Sequence, residues 1–505
     1  MLAETAVPMN PASHLDENVG GTANVRLSGE YNAIRGRGTA MLDPYIEAWE
    51  LRDLVIRKEI RAREAAEFFL ERIERLNPQL NAFMTVTAER ALEDADRLER
   101  IAVSDRAAQP LFAVPYSLKD LTWTAGIRTT LGSKNFEHFV PRADQEYAAR
   151  LKRAGGILLG KTTTPEFGGR PTTEGGLCPP ARNPWKLSHT AGGSSGGAAG
   201  AVAAGLGPIA EGSDGGGSIR IPSACCGLVG IKPSRGRVSN APVMGEGWGG
   251  FATNGPIARS VRDAALMLDV MAGPVDGDPY WAPPPTHPFV TAAKPPAGKL
   301  RLAAIADTAL SIVDGETIAA FESACDIFRA QGHTVETIKL DPAQALREVA
   351  GKLIAAGVSS IPLKDPSTAD PAVLAMWHEG RRMSAAEYLG AVVQMHNASR
   401  TIVKDLIPFD ALLTPTLTRP AVPLGSFANP ATYASDIFGW IAFTFPFNAT
   451  GQPAISVPNG FNREGLPLAL QIVGRPADEA GIIAIAAAFE EAQPWFGHHP
   501  PLDQA

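Results

Sequence analysis

Cysteine is scarce in this sequence, which has four among 505 residues. They are Cys178, Cys225, Cys226 and Cys325. No two of them form a C-x-x-C pair, and four cysteines are too few for a secreted scaffold that is held together by disulfides. We therefore expect a reduced compartment and a cytoplasmic location.

Long apolar runs and an excess of positive charge are also lacking. No run reaches the roughly 18 residues needed to cross a bilayer, and the N-terminus has no basic region followed by an apolar stretch. The net charge is -7, from 46 Lys plus Arg against 53 Asp plus Glu. A chain of this charge has no general attraction to nucleic acid or to anionic membranes, so we expect neither as a partner.

The composition that remains is that of a globular protein. Hydrophobic residues make up 45% of the chain and charged residues 20%, enough to bury a large core. Predicted strands alternate with helices, which favours an α/β fold. We expect residues 1–40 to be a flexible leader and residues 41–505 a single domain, with a Pro-rich crossover at 274–298.

Local patterns predict individual elements along the first half of this domain. A helical apolar face begins at Ala62, and Asn77-Pro78 should stop it. An apolar segment from Leu111 to Leu118 predicts a buried strand that ends at Lys119-Asp120. The next elements are a helix over Glu146–Ala154 and a strand over Ile157–Leu159. A further βαβ unit is predicted over residues 300–340.

One stretch satisfies the pattern of a phosphate-binding loop and is rejected on context. Gly155 to Thr162 reads G-G-I-L-L-G-K-T, the form G-x-x-x-x-G-K-T. Such a loop follows a strand and opens a helix, whereas here the strand-like Ile157–Leu159 lies inside the loop and Pro165 follows closely. We therefore do not expect Lys161 to bind a nucleotide.

A second stretch satisfies the nucleophile elbow of α/β-hydrolases. Gly192 to Gly196 reads G-G-S-S-G, but the preceding residues 183–190 are too polar for the buried strand that an elbow needs. The sequence has nine histidines, so composition leaves a Ser-His-Asp triad open without locating it.

The block from Gly192 to Gly227 is the richest in glycine. Gly215, Gly216 and Gly217 directly precede Ser218. Such a run is usually a flexible turn. Apolar stretches flank it here, and successive N–H groups without side chains can hold an anion, so the hydroxyl of Ser218 could attack a carbonyl there.

A serine nucleophile needs a base, and Lys119 at the end of a buried strand is the candidate. Its position alone favours a solvated loop lysine paired with Asp120. The order of Lys119 and the two glycine-rich motifs along the chain helps to decide between these two roles of Lys119. Lys119 is followed by G-G-S-S-G-G at 192–197 and by D-G-G-G-S-I-R at 214–220.

This order resembles the amidase signature family, and Ser194 and Ser218 are 24 residues apart, as are that family's two working serines. The resemblance extends from about residue 43 to the C-terminus. It includes V-P-Y-S-L-K-D at 114–120, L-G-K-T-T-T-P-E-F at 159–167, R-N-P-W at 182–185 and P-F-N-A-T-G-Q-P-A-I-S-V-P at 446–458. The fold it implies is an α/β/α sandwich around a large mixed, mostly parallel twisted sheet.

The resemblance also implies roles for single residues. Ser218 would be the nucleophile, Ser194 a serine preceded by a cis peptide bond, and Lys119 the base. The backbone N–H groups of Gly215, Gly216, Gly217 and Ser218 would hold the oxyanion. No cofactor and no metal is implied, and the partner would be a small-molecule amide. Members often form homodimers, so a homodimer is possible.

Other residues near the motif have less direct roles. We expect Ser195, Asp214 and Arg220 to fix the loop through hydrogen bonds and an ion pair. Residues 362–397, which include Trp377, and the Pro-rich crossover are expected to shape the substrate pocket.

Within the family, the sequence is most similar to bacterial amidases that act on aryl acylamides and on cyclic nylon dimers. An alternative is the amidase subunit of a glutamine-dependent tRNA amidotransferase. That branch carries a Ser-Ser-Leu-Asp-Gln run, which the corresponding residues 247–256 lack. A membrane fatty-acid amide hydrolase is disfavoured because no N-terminal spanning segment is predicted.

Overall fold

The computed structural model describes residues 42–429 and 432–504. The leader predicted over residues 1–40 lies outside the described residues. Across these two ranges, no helix is long and apolar enough to pass through a membrane.

Eleven of the strands in the described chain form one sheet, in the order β1-β3-β2-β6-β8-β7-β12-β13-β11-β9-β10, and β4 pairs with β5 separately. Their bounds are β1 Phe83–Val86, β2 Pro115–Lys119, β3 Ile157–Thr162, β4 Arg182–Asn183, β5 Lys186–Thr190, β6 Ile209–Asp214, β7 Val229–Lys232, β8 Thr253–Ala258, β9 Arg301–Ala304, β10 Thr334–Thr337, β11 Ala411–Pro415, β12 Ala454–Phe461 and β13 Pro467–Gly474.

The sheet is mixed as predicted, but the expectation that it is mostly parallel is wrong. Parallel pairing joins β2 to β3 and β6, and β9 to β10 and β11. The other neighbours are antiparallel. One physical reason is a short connection: β12 and β13 are joined by five residues, and a hairpin of that length can only be antiparallel.

Helices cover the sheet. Their bounds are α1 Ala48–Ile56, α2 Ala62–Leu80, α3 Ala88–Glu99, α4 Val103–Arg106, α5 Glu146–Arg153, α6 Gly196–Ala203, α7 Arg220–Cys226, α8 Val261–Met271, α9 Gly315–Ala330, α10 Pro342–Ser359, α11 Pro371–Arg382, α12 Ala385–Leu406, α13 Tyr433–Trp440, α14 Pro446–Ala449 and α15 Glu479–Ala492.

Alternate strand residues enter two different cores, which shows the sandwich. On β11, Leu412 packs in one apolar cluster while Ala411 and Leu413 pack in another. Because successive side chains of a strand point to opposite faces, the two clusters lie on the two sides of the sheet. The first contains residues of α6, α7, α10 and α12, and the second contains residues of α5, α8, α9 and α15.

Two predicted boundaries differ from the structure. Helix α2 continues through Pro78 to Leu80 and ends where Asn81 adopts a left-handed conformation with φ 53°. Because Pro78 lies in the last turn, its missing N–H interrupts only the end of the helix. The strand expected from Leu111 begins only at Pro115, because the preceding residues form turns and Ala113 has φ 59°.

The other predicted elements are present. Strand β3 starts at Ile157 as expected, and β9, α9 and β10 form the parallel βαβ unit. Strand β2 runs between β3 and β6 and is parallel to both. The carboxyl ends of β2 and β6 therefore meet at one edge of the sheet, where ligands bind in many open α/β sheets.

Candidate active site

Lys119 is the last residue of β2, and its side chain is fully buried. Its Nζ donates to Oγ of Ser194 at 2.7 Å and to Oγ of Ser213 at 2.9 Å. Burial lowers the pKa of Lys119 from 10.5 to about 7, against the opposing charges of Glu211 and Asp214. An amine in this setting is neutral under mildly alkaline conditions and can accept a proton.

Ser194 lies in the turn that leads into α6. The Gly193–Ser194 peptide bond is cis, as the resemblance implies. A Cβ on Gly193 would lie 2.5 Å from the backbone of Thr172, so only glycine fits there. The next residue, Ser195, donates its backbone N–H to the carbonyl of Ser218 at 3.2 Å. The two serine segments are thus held side by side.

Ser218 closes the glycine loop that connects β6 to α7. Its side chain is buried, with 8% exposed. Asp214, at the end of β6, accepts the N–H groups of Gly217 and Ile219 at 2.7 and 3.2 Å. Arg220 donates to both oxygens of Asp214, and neither side chain is exposed. Asp214 and Arg220 therefore fix the loop through the ion pair that was predicted.

Two peptide groups of this loop are oriented by the core. The carbonyl of Asp214 accepts from the Asn448 side chain, and that of Gly217 accepts from the N–H of Ile221. In a trans peptide the N–H points opposite to the carbonyl, so the N–H groups of Gly215 and Ser218 point away from these anchors. This arrangement suits binding of an anion beside Ser218.

We expected four backbone N–H groups to serve as oxyanion donors, but the N–H of Gly217 is not available for this role. Its N–H donates to Asp214, and its φ of 126° places a hypothetical Cβ 2.4 Å from Oγ1 of Thr444. Gly217 is required for the turn, and its N–H stabilises the loop. The N–H groups of Gly215, Gly216 and Ser218 remain as candidate donors.

Asp120 does not pair with the amine of Lys119. Its Oδ2 accepts from the N–H and hydroxyl of Thr130, and burial raises its pKa. The nearest polar partners of the Lys119 amine are hydroxyls, as expected of a base that must lose its proton.

Neither of the two rejected motifs has the local structure that its pattern requires. Gly160, Lys161 and Thr162 belong to β3, so no phosphate loop forms, and the Lys161 amine donates to Thr122, Thr124 and Thr129. The strand before Ser194 is β5, which forms a two-stranded sheet with β4 that is separate from the eleven-stranded sheet. The histidine nearest to Ser194 in the sequence is His189, which forms a hydrogen bond with the hydroxyl of Ser188.

Several residues near the site were missed by the sequence reasoning. Ser213 is the second partner of the Lys119 amine, and Glu211 accepts the backbone N–H of Lys119 at 2.9 Å. Glu211 had a detectable signal, because an acidic residue within the apolar run 208–212 has to find a partner when it is buried.

Trp248 forms part of the surroundings of the glycine loop. Its indole lies against two glycines, Gly215 and Gly357 of α10. A Cβ added to Gly215 would be 2.8 Å from the ring, and a Cβ added to Gly357 would be 2.5 Å from it. Trp248 packs against the apolar cluster that contains Leu412 and also against a smaller cluster that contains Phe136, Phe167 and Val373. Apolar and aromatic side chains therefore border one side of the loop.

Comparisons with known sequences find similar proteins over most of the chain. The family described as Amidase matches residues 64–483. An acylamidase of Rhodococcus erythropolis is 36% identical over 90% of this chain and 97% of its own. A 6-aminohexanoate-cyclic-dimer hydrolase of Paenarthrobacter ureafaciens is 33% identical over 91% and 97%. A glutamyl-tRNA(Gln) amidotransferase subunit of Moorella thermoacetica is 35% identical over 91% and 99%.

Two solved structures superpose on most of the chain. A 6-aminohexanoate cyclic dimer hydrolase complexed with substrate superposes with a TM-score of 0.85 at 30% identity, covering 91% of this chain and all of the other. A bacterial aryl acylamidase superposes with a TM-score of 0.82 at 29% identity, covering 89% and 97%.

Proposed function

The chain belongs to the amidase signature family, whose enzymes hydrolyse amide C–N bonds, and we propose that it does so through Ser218, Ser194 and Lys119 and an acyl-enzyme intermediate. The observation that carries the proposal is the 2.7 Å contact between Nζ of Lys119 and Oγ of Ser194, with the amine fully buried. A lysine held in this way is the base that a serine hydrolase without a catalytic histidine requires.

In the proposed acylation step, Oγ of Ser218 attacks the amide carbonyl carbon. Its proton passes to Ser194 as the hydroxyl of Ser194 gives its own proton to Lys119. The carbonyl oxygen becomes an oxyanion, and the N–H groups of Gly215, Gly216 and Ser218 stabilise it by about 3 kcal/mol per donor. The C–N bond then breaks while the proton returns through Ser194 to the leaving amine.

Deacylation repeats the same route with water. Lys119, again neutral, accepts a proton from water through Ser194 as the water attacks the acyl carbon, and Ser218 leaves with the returned proton. The products are the free acid and the regenerated enzyme. No step of this sequence calls on a cofactor.

We propose aryl or aliphatic amides as the substrates. The relatives named acylamidase and 6-aminohexanoate-cyclic-dimer hydrolase support this class. So does the indole of Trp248 against Gly215, because an aromatic wall favours apolar groups next to the reacting carbonyl. Carbamates and esters present the same carbonyl to Ser218, so we expect side activity on both.

The tRNA amidotransferase component is the second candidate. It is supported by the 35% identity to the Moorella thermoacetica protein, and it is weakened by the missing Ser-Ser-Leu-Asp-Gln run at 247–256. The two candidates differ in whether the chain works alone.

The test is an assay of the purified chain on aryl, aliphatic and cyclic amides, on a carbamate and on glutamine, with released amine or ammonia as the readout. Amine release by the wild type and none by Ser218→Ala supports the proposal. No release from any of these substrates by a folded protein, with glutamine as the only amide hydrolysed, would favour the tRNA amidotransferase component.

A further inference from the structure

Glu211 is a fully buried carboxyl group next to the proposed base. Its Oε2 accepts the backbone N–H of Lys119 at 2.9 Å and the hydroxyl of Thr122 at 2.8 Å. Its Oε1 has no hydrogen-bond partner within the part of the chain that the structure describes. A buried carboxyl that is only half satisfied is costly to fold, so its place beside Lys119 calls for an explanation.

The first effect of Glu211 is mechanical. Backbone pairing between β2 and β6 joins Tyr116 to Ile209 and Ser117 to Ala210, two residues before Lys119. The hydrogen bond from Lys119 to Glu211 continues the tie between these strands at the residue that carries the amine. The carboxylate therefore fixes the backbone from which Lys119 reaches Ser194.

The second effect is electrostatic. Two acidic groups act on the Lys119 amine, Glu211 and Asp214. Asp214 is paired with Arg220, so its charge is largely compensated. Glu211 has no such ion pair among the described residues, and the charged or titratable groups acting on it are Lys119 and Lys161 of β3, together with Tyr147 of α5.

Burial raises the pKa of Glu211, while the N–H of Lys119 and the hydroxyl of Thr122 act in the opposite direction by stabilising its anion. The Thr122 hydroxyl that donates to Glu211 also lies 3.1 Å from the Tyr147 hydroxyl, whose proton is accepted by Oε1 of Gln145 at 2.9 Å.

We propose that Glu211 is a positioning residue that acts through Lys119, by anchoring its backbone and by placing a carboxylate beside its amine. The inference rests on the proposed role of Lys119 as the base. The carboxylate favours the ammonium form of Lys119 and so opposes the effect of burial. Without it, the amine would lose its proton at lower pH.

The test is the pH dependence of kcat/KM for Glu211→Gln, which keeps the shape and the acceptor oxygen and removes the charge. The acidic limb of the profile should move to lower pH by about one unit, because an opposite charge has been removed from the vicinity of the amine. On the acidic side, the rate relative to the plateau should rise about tenfold. A purely structural role would lower the plateau and leave the limb in place.

Asp120→Asn is the matched control. Asp120 is equally buried and also has one oxygen without a partner among the described residues, but it acts on Lys161 and not on the Lys119 amine. The limb should stay in place in this variant. An equal shift in both variants would overturn the proposal, as would an unmoved limb in Glu211→Gln.

If Glu211→Gln does not fold, Thr122→Val serves instead. It removes the hydroxyl that stabilises the Glu211 anion, and the limb should move in the same direction by a smaller amount. Lys119→Ala is measured in parallel. If it is inactive while the limb of the Glu211 variant is unmoved, only the role of Glu211 fails. If Lys119→Ala keeps wild-type activity, the proposed function itself fails.

Discussion

At the scale of single residues, the account depends on the protonation of Lys119. The base must be neutral, and burial lowers its pKa to about 7. kcat/KM should therefore rise with pH through about 7 and reach a plateau above it, because at lower pH the amine holds a proton and cannot accept another. Two pH units below the midpoint, the rate should be about one hundredth of the plateau.

Lys119→Ala should lose nearly all of this activity and keep its circular dichroism spectrum. Wild-type rates in this variant would contradict the base assignment. His189, His287, His333, His378 and His396 would then be replaced in turn to find another base.

The two serines should differ in how much activity they carry. Ser218→Ala should lower kcat by up to about a million-fold, because no other group can form the acyl-enzyme. Ser194→Ala should lower it by about a hundred- to ten-thousand-fold, because water can replace part of a proton relay. Single-turnover rates on one amide substrate measure both. Equal residual rates in the two variants would argue against the assignment of Ser218 as the nucleophile and Ser194 as the proton relay.

At the scale of elements, the loop between β6 and α7 depends on Asp214. Replacing it with Asn leaves the buried Arg220 without a counter-charge, and breaking such a pair costs about 3–5 kcal/mol. The free energy of unfolding in urea should fall by that amount. Asp326→Asn, which breaks the exposed pair with Arg329 in α9, is the control and should cost less than about 1 kcal/mol.

The same pair has a pH signature. Arg220 is the largest stabilising cause that lowers the pKa of Asp214 from 3.8 to about 2, in spite of burial. A group with a lowered folded pKa stabilises above its unfolded pKa, and the stabilisation is lost as pH falls through the folded one. Wild type should lose this contribution between about pH 4 and 2, whereas Asp214→Asn should show no such loss.

Trp248 connects the loop to α10 and should influence substrate choice. Trp248→Ala removes the ring that lies on Gly215, so kcat/KM for an aryl amide should fall about tenfold relative to a small aliphatic amide. Trp248→Phe keeps an aromatic wall and should retain most of the preference. An unchanged ratio in Trp248→Ala would mean that the indole does not contact the substrate.

At the scale of the whole molecule, the sequence predicted the layers better than the pairing of strands. Local periodicity reveals which residues are buried, and for this reason α5, β3 and the βαβ unit of β9, α9 and β10 lie where expected. Strand direction depends on how distant segments meet, and periodicity carries no such information. The mostly parallel sheet was therefore a wrong expectation.

The candidate site shows the same division. Lys119, Ser194 and Ser218 could be named because their motifs are local. The sequence marks Glu211 as a buried acid but does not reveal its contact with Lys119, nor that of Trp248 with Gly215, because these contacts join residues far apart in the sequence. The use of the Gly217 N–H by Asp214 likewise depends on the conformation of the folded loop.

The most direct test of the central claim is the site of acylation. The purified protein is incubated with a fluorophosphonate probe, and the labelled peptide is mapped by mass spectrometry. The account predicts a label on Ser218 in the wild type, slower labelling in Lys119→Ala and none in Ser218→Ala. A label on Ser194 in the wild type would contradict it.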